Sequence, residues 1–465
     1  MSRVTRIHKA GILGLALLVA VLTVTPGGAR GSKRIRSVEI APGVQYTKIQ
    51  DPRGPWSIRV ISISLAEAST IEPVLATGRL PGFETTTSMA RRNGALAAIN
   101  GDYARESGRP VMLFAQDGEL AQTALTRGVN FAVNSTETAT YIKHQQPELW
   151  LHEEDSGLDH VVNAFNAGWP GIDMINGFSA LAGKDERPPS GACSARLYAT
   201  DGPHQSETRI GIEQTHVVDE VACKDGKLWP RRGRIFSTPI AGPKGPEIGS
   251  LTPGETVHLG WSLSWPDVFD TIGGNPTLVR DGQIFIERSG PGSFFNRHPR
   301  TGVGTTPDGR VLFVTVDGRQ TGYSIGMTPW RFGQLFLSLG ADYALNLDGG
   351  GSTTMVVNDE IVNRPSDGYE RPVSSALVLL PGPDPAPTAT PAPIPTSSPT
   401  PTPTPSPTIT SLPPLGRGPG LSRRELWLRI ARDPASTGGL AQWLFYEGVR
   451  LRGDLKEAAA IFEGQ

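Results

Sequence analysis

Apolar and polar positions follow four different rhythms along the 465-residue chain. The first is an uninterrupted apolar run from Gly11 to Val24, preceded by Arg3, Arg6 and Lys9 and followed by Gly27, Gly28 and Ala29. Basic residues, a short apolar core and then small residues form the pattern of a secretory signal, here cut after Ala29. The run is short of the ~20 residues that a membrane span needs. Residues 1–29 are therefore read as a signal peptide, and the remainder as secreted or cell-envelope associated.

The second stretch, residues 37–379, mixes strand and helix patterns with many glycine-marked turns. Ile58 to Leu65 alternates in its first half, and Val311 to Val316 is a continuous apolar run of the buried-strand type. Thr353 to Val362 has the form of a hairpin turning at Asn358 and Asp359. One helix is marked by a capping Thr328, a first-turn Pro329 and a terminating Gly340. Two short apolar strands, Ala97 to Ile99 and Ala344 to Leu347, each run into a polar tip. The expectation is an α+β domain with a mixed, sheet-rich core and flanking helices.

Residues 380–415 are rich in Pro and Thr and lack core-forming periodicity, as in a semi-rigid polyproline-like linker open to O-glycosylation. Beyond them, Ser422 with Glu425 makes a capping box, and Leu426, Trp427, Ile430 and Ala431 follow at helical spacing. Leu440, Trp443, Leu444 and Val449 form a second stripe, and Asp454 caps a third helix. Residues 416–465 are thus a small all-helical module, with cell-envelope attachment through linker and module as its expected role.

Length allows a full hydrophobic core. The formal net charge is −1, and cutting the signal removes three cations to leave −4. With no basic stripe, nucleic acid is not an expected partner. The two cysteines, Cys193 and Cys223, fall after the signal, and a pair of this kind in an oxidising compartment is expected to form a disulfide.

Five strand-to-loop junctions carry groups that could do chemistry. Asp348 follows the run Ala344 to Leu347 and precedes Gly349, Gly350 and Gly351, whose backbone can approach a ligand and turn amides toward an anion. Ser352, Thr353 and Thr354 then add hydroxyls. Asn100, Gly101, Asp102 and Tyr103 follow Ala97 to Ile99, and Gly273, Gly274 and Asn275 make a third tip. Arg297, His298, Arg300 and Thr301 form a fourth, and Asp317 with Arg319 a fifth. Together they suit one polar pocket for something sugar-like and anionic.

The set "AAINGDY", "IGGNPTLVRDG", "RHPRTGVG", "VTVDGRQTGYSIGMT" and "LNLDGGGSTTMVV", closed by "RPVSSAL" at Arg371 to Leu377, resembles the phosphodiester glycosidase family. That family is typified by the lysosomal uncovering enzyme and has many exported bacterial members. The likeness covers residues 94–379 in motif order and is strongest in the second half. The chain departs from it at Ala104, where an aromatic is usual, and at Ser375, where relatives often carry Asn.

The resemblance implies hydrolysis of the bond between a sugar's anomeric carbon and a phosphodiester, releasing sugar and a phosphomonoester. The leaving phosphate has a second pKa of about 6 and needs little proton assistance. What must be supplied is stabilisation at an oxocarbenium-like carbon and fixed donors on the phosphate. Asp102, Asp317 and Asp348 are candidates for the first task as base or nucleophile. Arg300, gripping phosphate bidentately, and the Gly350 to Ser352 amides are candidates for the second. Asn100, Asn275, His298, Thr301, Arg319, Gly349, Gly350, Gly351, Ser352 and Thr353 are expected around the substrate. No cofactor is required; a structural calcium ion is a minor expectation, and no Cys or His cluster argues for zinc. The expected partner is a sugar-1-phosphodiester or phosphate-bearing polysaccharide. The alternative is a non-catalytic protein that binds envelope glycan.

Overall fold

The structure is a computed structural model describing residues 32–381, except 66–69, 146, 169–170, 183–190, 201–210, 212, 225–227, 229–232 and 266. The expected signal, the body of the Pro/Thr-rich linker and the C-terminal helical module lie outside the described residues.

Among the described residues, strands form four sheets, two of eight strands and two of five. The first sheet runs, in spatial order, Arg34–Ala41, Val44–Asp51, Trp56–Ser64, Arg310–Val316, Arg300–Thr305, Tyr343–Asn346, Thr277–Arg280 and Gln283–Ile284. Its central strands are the apolar runs of the sequence, buried on both faces. Val303, Phe313 and Leu345 point to one side and Leu312, Val314 and Ala344 to the other. The second side is covered by the helix Pro329–Ser338, capped by the Thr328 side chain, which accepts from the Arg331 amide. Its Phe332 and Phe336 lie against Gly302 and Gly304, where any side chain would collide with the rings. Burying two phenylalanines in this way stabilises the layer by about 1.5–3 kcal/mol each.

The first side packs on a five-stranded sheet ordered Glu360–Ile361, Met355–Val357, Ala97–Asn100, Ser375–Leu380 and Thr70–Leu75. Ile99, Met355, Leu377 and Leu379 enter the shared core. Ala98, Val356, Ala376 and Val378 face the helix Thr86–Arg92 through Met89 and Ala90. The result is a helix–sheet–sheet–helix stack. The hairpin at Asn358 and Asp359 is present, both residues having positive φ as a tight two-residue turn requires.

Of the other two sheets, the five-stranded one sends Phe114, Phe131 and Ile272 into that shared core, and its opposite face packs with the second eight-stranded sheet around Trp261, Phe165 and Phe236. Cys193 and Cys223 are joined there as a disulfide. They stand one step beyond the cross-strand pair Ser194–Ala222 of the antiparallel strands Ala192–Ala199 and Gln214–Ala222.

The sheet-rich expectation holds, with two corrections. Among the described residues α-helix is limited to three short elements, the longest having ten residues, beside single 3-10 turns. The sheets are also hardly mixed: strand ladders are antiparallel apart from Ala164–Phe165 with Asn176–Phe178. Asp348 sits where two antiparallel sheets run out together.

Candidate functional site

The polar tips converge at one end of the two stacked sheets. Arg300 pairs with Val316 and Gly302 with Asn346, so two strands end where their neighbour begins. The facing sheet contributes Asn100, which lies beside Asp348: Asn100 Nδ2 donates to the Asp348 carbonyl at 2.7 Å, and the Asp348 amide to the Gly101 carbonyl at 3.0 Å. These two bonds tie the sheets together directly beneath the site.

Several expected ligand contacts turn out to be braces. Asn100 is fully buried, and its Oδ1 accepts from the Thr301 hydroxyl at 2.7 Å and the Thr354 amide at 3.1 Å. Thr301 is equally buried and committed to that bond. Asp317 is buried, with Oδ2 accepting from the Tyr323 hydroxyl at 2.9 Å and Oδ1 from the Arg364 amide at 2.9 Å and Asn363 Nδ2 at 3.2 Å. It organises the segments 317–324 and 363–364. Thr353 is buried too, its hydroxyl without a partner.

Asp102 is likewise enclosed, with 1 % of its surface exposed. Oδ1 accepts from the Tyr103 amide at 2.7 Å, and Oδ2 from the Val111 and Met112 amides at 2.9 and 2.6 Å. It thereby winds the 103–112 loop around itself. The departure at Ser375 takes part in this arrangement, because its hydroxyl accepts from the Asp102 amide at 3.1 Å. Burial pushes the Asp102 carboxyl up to about 8 against the three amides that favour the anion, and the nearby Asp348 charge adds to the rise.

Asp348 differs from both. It is half-buried, with Oδ1 accepting from the Gly349 amide at 2.8 Å. Burial raises its carboxyl above the ordinary value, while the Ser352 hydroxyl, the Gly349 amide and the Arg371 guanidinium pull it back. The glycines that follow form a single tight turn, Gly350–Ser352, not an open anion cradle. The Gly350 amide is taken by the Pro299 carbonyl and the Ser352 amide by that of Gly349, so these two of the three expected amides are already committed. Gly350 needs its positive φ of 64° for the turn. Gly351 leaves room for the Arg371–Asp367 ion pair, whose atoms lie 2.1 and 2.2 Å from where a Cβ would stand.

Cations flank the carboxylate. Arg300 is buried under Phe294, its Nε donating to the Met327 carbonyl at 3.0 Å and its Nη2 to the Phe294 and Asn296 carbonyls. Only Nη1 remains for a ligand, so a bidentate grip by Arg300 is not available in this arrangement. Desolvation lowers its pKa to about 10. Arg319 is exposed and reaches over Gly350. Among the described residues neither arginine has a carboxylate partner within 4 Å. His298 touches Arg319 through Nδ1 and the Ser293 carbonyl through Nε2. Asn275 is exposed at the rim, with its backbone carbonyl accepting from the Tyr103 hydroxyl at 2.8 Å.

Tyr103, expected in its tip but given no role, completes the site with Asn346 and Arg371, which were not among the expected residues. The Tyr103 hydroxyl accepts from Asn346 Nδ2 at 2.6 Å, and burial raises its pKa, with Asp348 adding to the rise and Arg300 opposing it. Tyr103 and Arg371 stand inside "AAINGDY" and "RPVSSAL", so proximity to those motifs was the available signal. No group of three or more His, Cys, Asp or Glu side chains is gathered as a metal site among the described residues.

A half-buried carboxylate, a tyrosine and unpaired guanidinium groups at the ends of stacked antiparallel sheets invite comparison with known proteins. The family described as "Phosphodiester glycosidase" matches residues 206–380. Over those residues the chain is similar to a phosphodiester glycosidase domain. Human N-acetylglucosamine-1-phosphodiester alpha-N-acetylglucosaminidase is 30% identical over 219 residues, 42% of this chain and 40% of that protein. A SPbeta prophage-derived uncharacterized protein of Bacillus subtilis is 42% identical over 83 residues, 18% of this chain and 13% of its own length. The chain thus spans well under two thirds of the length of either relative. A solved protein of Burkholderia pseudomallei, named as a candidate exported protein, shares the fold with a TM-score of 0.58 and 19% identity. That likeness covers 77% of this chain and 98% of the other.

Proposed function

We propose that the chain hydrolyses the bond between the anomeric carbon of a sugar and a phosphodiester, releasing free sugar and a phosphomonoester. The observation that carries this reading is that Asp348, half-buried and raised in pKa, stands at the same strand ends as Arg300 and Arg319, which among the described residues lack carboxylate partners. Such cations suit an anionic leaving group held outside the carboxylate. Arg319 and the free Nη1 of Arg300 hold the phosphate, while Asp348 acts on the anomeric side as base or nucleophile. Asp102 shapes the floor and Asn275 reaches the sugar from the rim.

The leaving phosphate departs with little protonation, so a site with one working carboxylate and several cations is sufficient where an ordinary glycosidase needs a strong acid. The disulfide and the signal-like start support an exported protein, for which phosphate-bearing envelope or extracellular polysaccharide is the natural substrate.

The test is a release assay on the full mature chain with sugar-1-phosphodiesters of N-acetylglucosamine, glucose, galactose and mannose, beside Asp348→Asn. The parent should release sugar, and the variant should lose at least about 100-fold in kcat while keeping its melting temperature. Heavy-oxygen water should place its label in the sugar; label in the phosphate would move the attack to phosphorus. Binding without release in the folded parent would make the chain a glycan-binding protein instead.

A further inference from the structure

Arg319 is held in a specific way. Its φ of 59° lies in the left-handed region, which costs a non-glycine residue energy and persists where surroundings impose it. Its Nε donates to His298 Nδ1 at 3.3 Å. The far side of the same guanidinium lies over Gly350, where a Cβ would meet Nη2 at 3.0 Å and Nη1 at 3.3 Å.

The imidazole is fixed from its other side. His298 Nε2 lies 2.8 Å from the Ser293 carbonyl, which can only accept, so Nε2 carries the proton. Nδ1 is left with a lone pair, and Arg319 Nε–H points at it. The ring's own backbone is pinned by a reciprocal pair of bonds to Met327, at 3.2 and 3.0 Å. Carbonyl, imidazole and guanidinium thus form a line with a defined direction at every link.

Building on the phosphodiester reading, we propose that His298 is a positioning residue that orients Arg319, so that the two Nη groups of Arg319 grip the substrate phosphate while His298 does not touch it. A direct contact from His298 would need a proton on Nδ1, and that nitrogen already faces a donor. The charged groups facing the ring are Arg319 and Arg300, both cations, and together with burial they lower its pKa. The ring is neutral at neutral pH. Acid that protonates it sets two N–H groups against each other and releases Arg319.

Two substitutions separate the roles, because an Asn amide reaches the place of Nδ1 and a Gln amide the place of Nε2. His298→Asn should keep KM for the cleaved phosphodiester within about threefold of the parent. His298→Gln and His298→Leu should raise it roughly tenfold, the loss of one oriented charge-assisted hydrogen bond, with kcat within about threefold. Parent KM should rise as pH falls below the ordinary histidine range, where a phosphodiester keeps its single charge, and the rise should be absent in His298→Asn. Preserved KM in Gln with loss in Asn would overturn the proposal in favour of a brace on Ser293. A fall in kcat at constant KM would overturn it in favour of direct chemistry.

A second readout is independent of turnover. Nitrogen NMR of labelled full mature chain should show the Nε2–H tautomer of His298, and inorganic phosphate should shift the Arg319 guanidinium signals in the parent and in Asn, but not in Gln or Leu. The Nδ1–H tautomer, or no phosphate effect at Arg319, would sink the positioning role. If no phosphodiester is cleaved, the functional reading fails, and the spectra alone decide this one.

Discussion

Three aspartates precede or follow strand ends in the sequence, and their surroundings give them different tasks. Asp317 and Asp102 each spend both carboxylate oxygens on the protein's own donors, whereas Asp348 retains access. The Asp102 carboxyl, pushed up to about 8, has a consequence for folding. The folded protein keeps a proton that the unfolded chain gives up above about pH 4. This group therefore favours the folded state below that value, and its contribution is lost as pH rises toward 8. Urea midpoints measured between pH 4 and 8 should fall in the parent, and the part due to Asp102 should vanish in Asp102→Asn; an identical slope in both would refute the assignment. Asn275, by contrast, is exposed with an uncommitted side-chain amide, so its substitution by Ala should act on substrate affinity and leave the urea midpoint unchanged.

At the scale of elements, what holds the arginine-bearing loop is a backbone contact. Gly326 has a φ of 84°, and a Cβ there would stand 2.4 Å from the His298 carbonyl oxygen. Gly326→Ala should cost about 2 kcal/mol or more, because neither the backbone angle nor the neighbouring carbonyl can yield cheaply. Its urea midpoint should drop, whereas Gly340→Ala, positive in φ but with nothing nearby, should lose less. The elements themselves were legible wherever apolar rhythm and caps agreed: the helix after Thr328, the strand Val311 to Val316 and the turn at Asn358 read directly. Strand partners were not. Period-two patterns say which residues face inward but not which strand lies alongside, so the nearly antiparallel pairing could not be read. For the same reason the site was legible as a set of tips but not as roles. Nothing in "AAINGDY" tells that Asn100 points down into Thr301 and Tyr103 across toward Asn346.

At the scale of the whole molecule, the disulfide and the site belong to different layers. Cys193–Cys223 closes a loop with a sequence separation of 30 at the second core, in a different sheet from the strands that carry Arg300 and lead into Asp348. Replacing both cysteines by Ser should lower stability by about 3–4 kcal/mol, the loop-closure value for this separation. KM for a cleaved phosphodiester should stay where it was, in any sample shown to be folded. A shift in KM at full folding would show that the two layers are coupled more tightly than their separate cores suggest.

The place of the strand Ser375–Leu380 governs the order in which the molecule can be made. It lies between Ala97–Asn100 and Thr70–Leu75, pairing with both, although it is the last strand of the described chain. During synthesis, those two early strands lack this shared neighbour until residue 380 has emerged. Arg371 and Ser375 arrive with that closing strand, so the nascent chain has no complete pocket at any earlier moment. A chain cut short before that strand would therefore carry the early polar tips without the residues that close them.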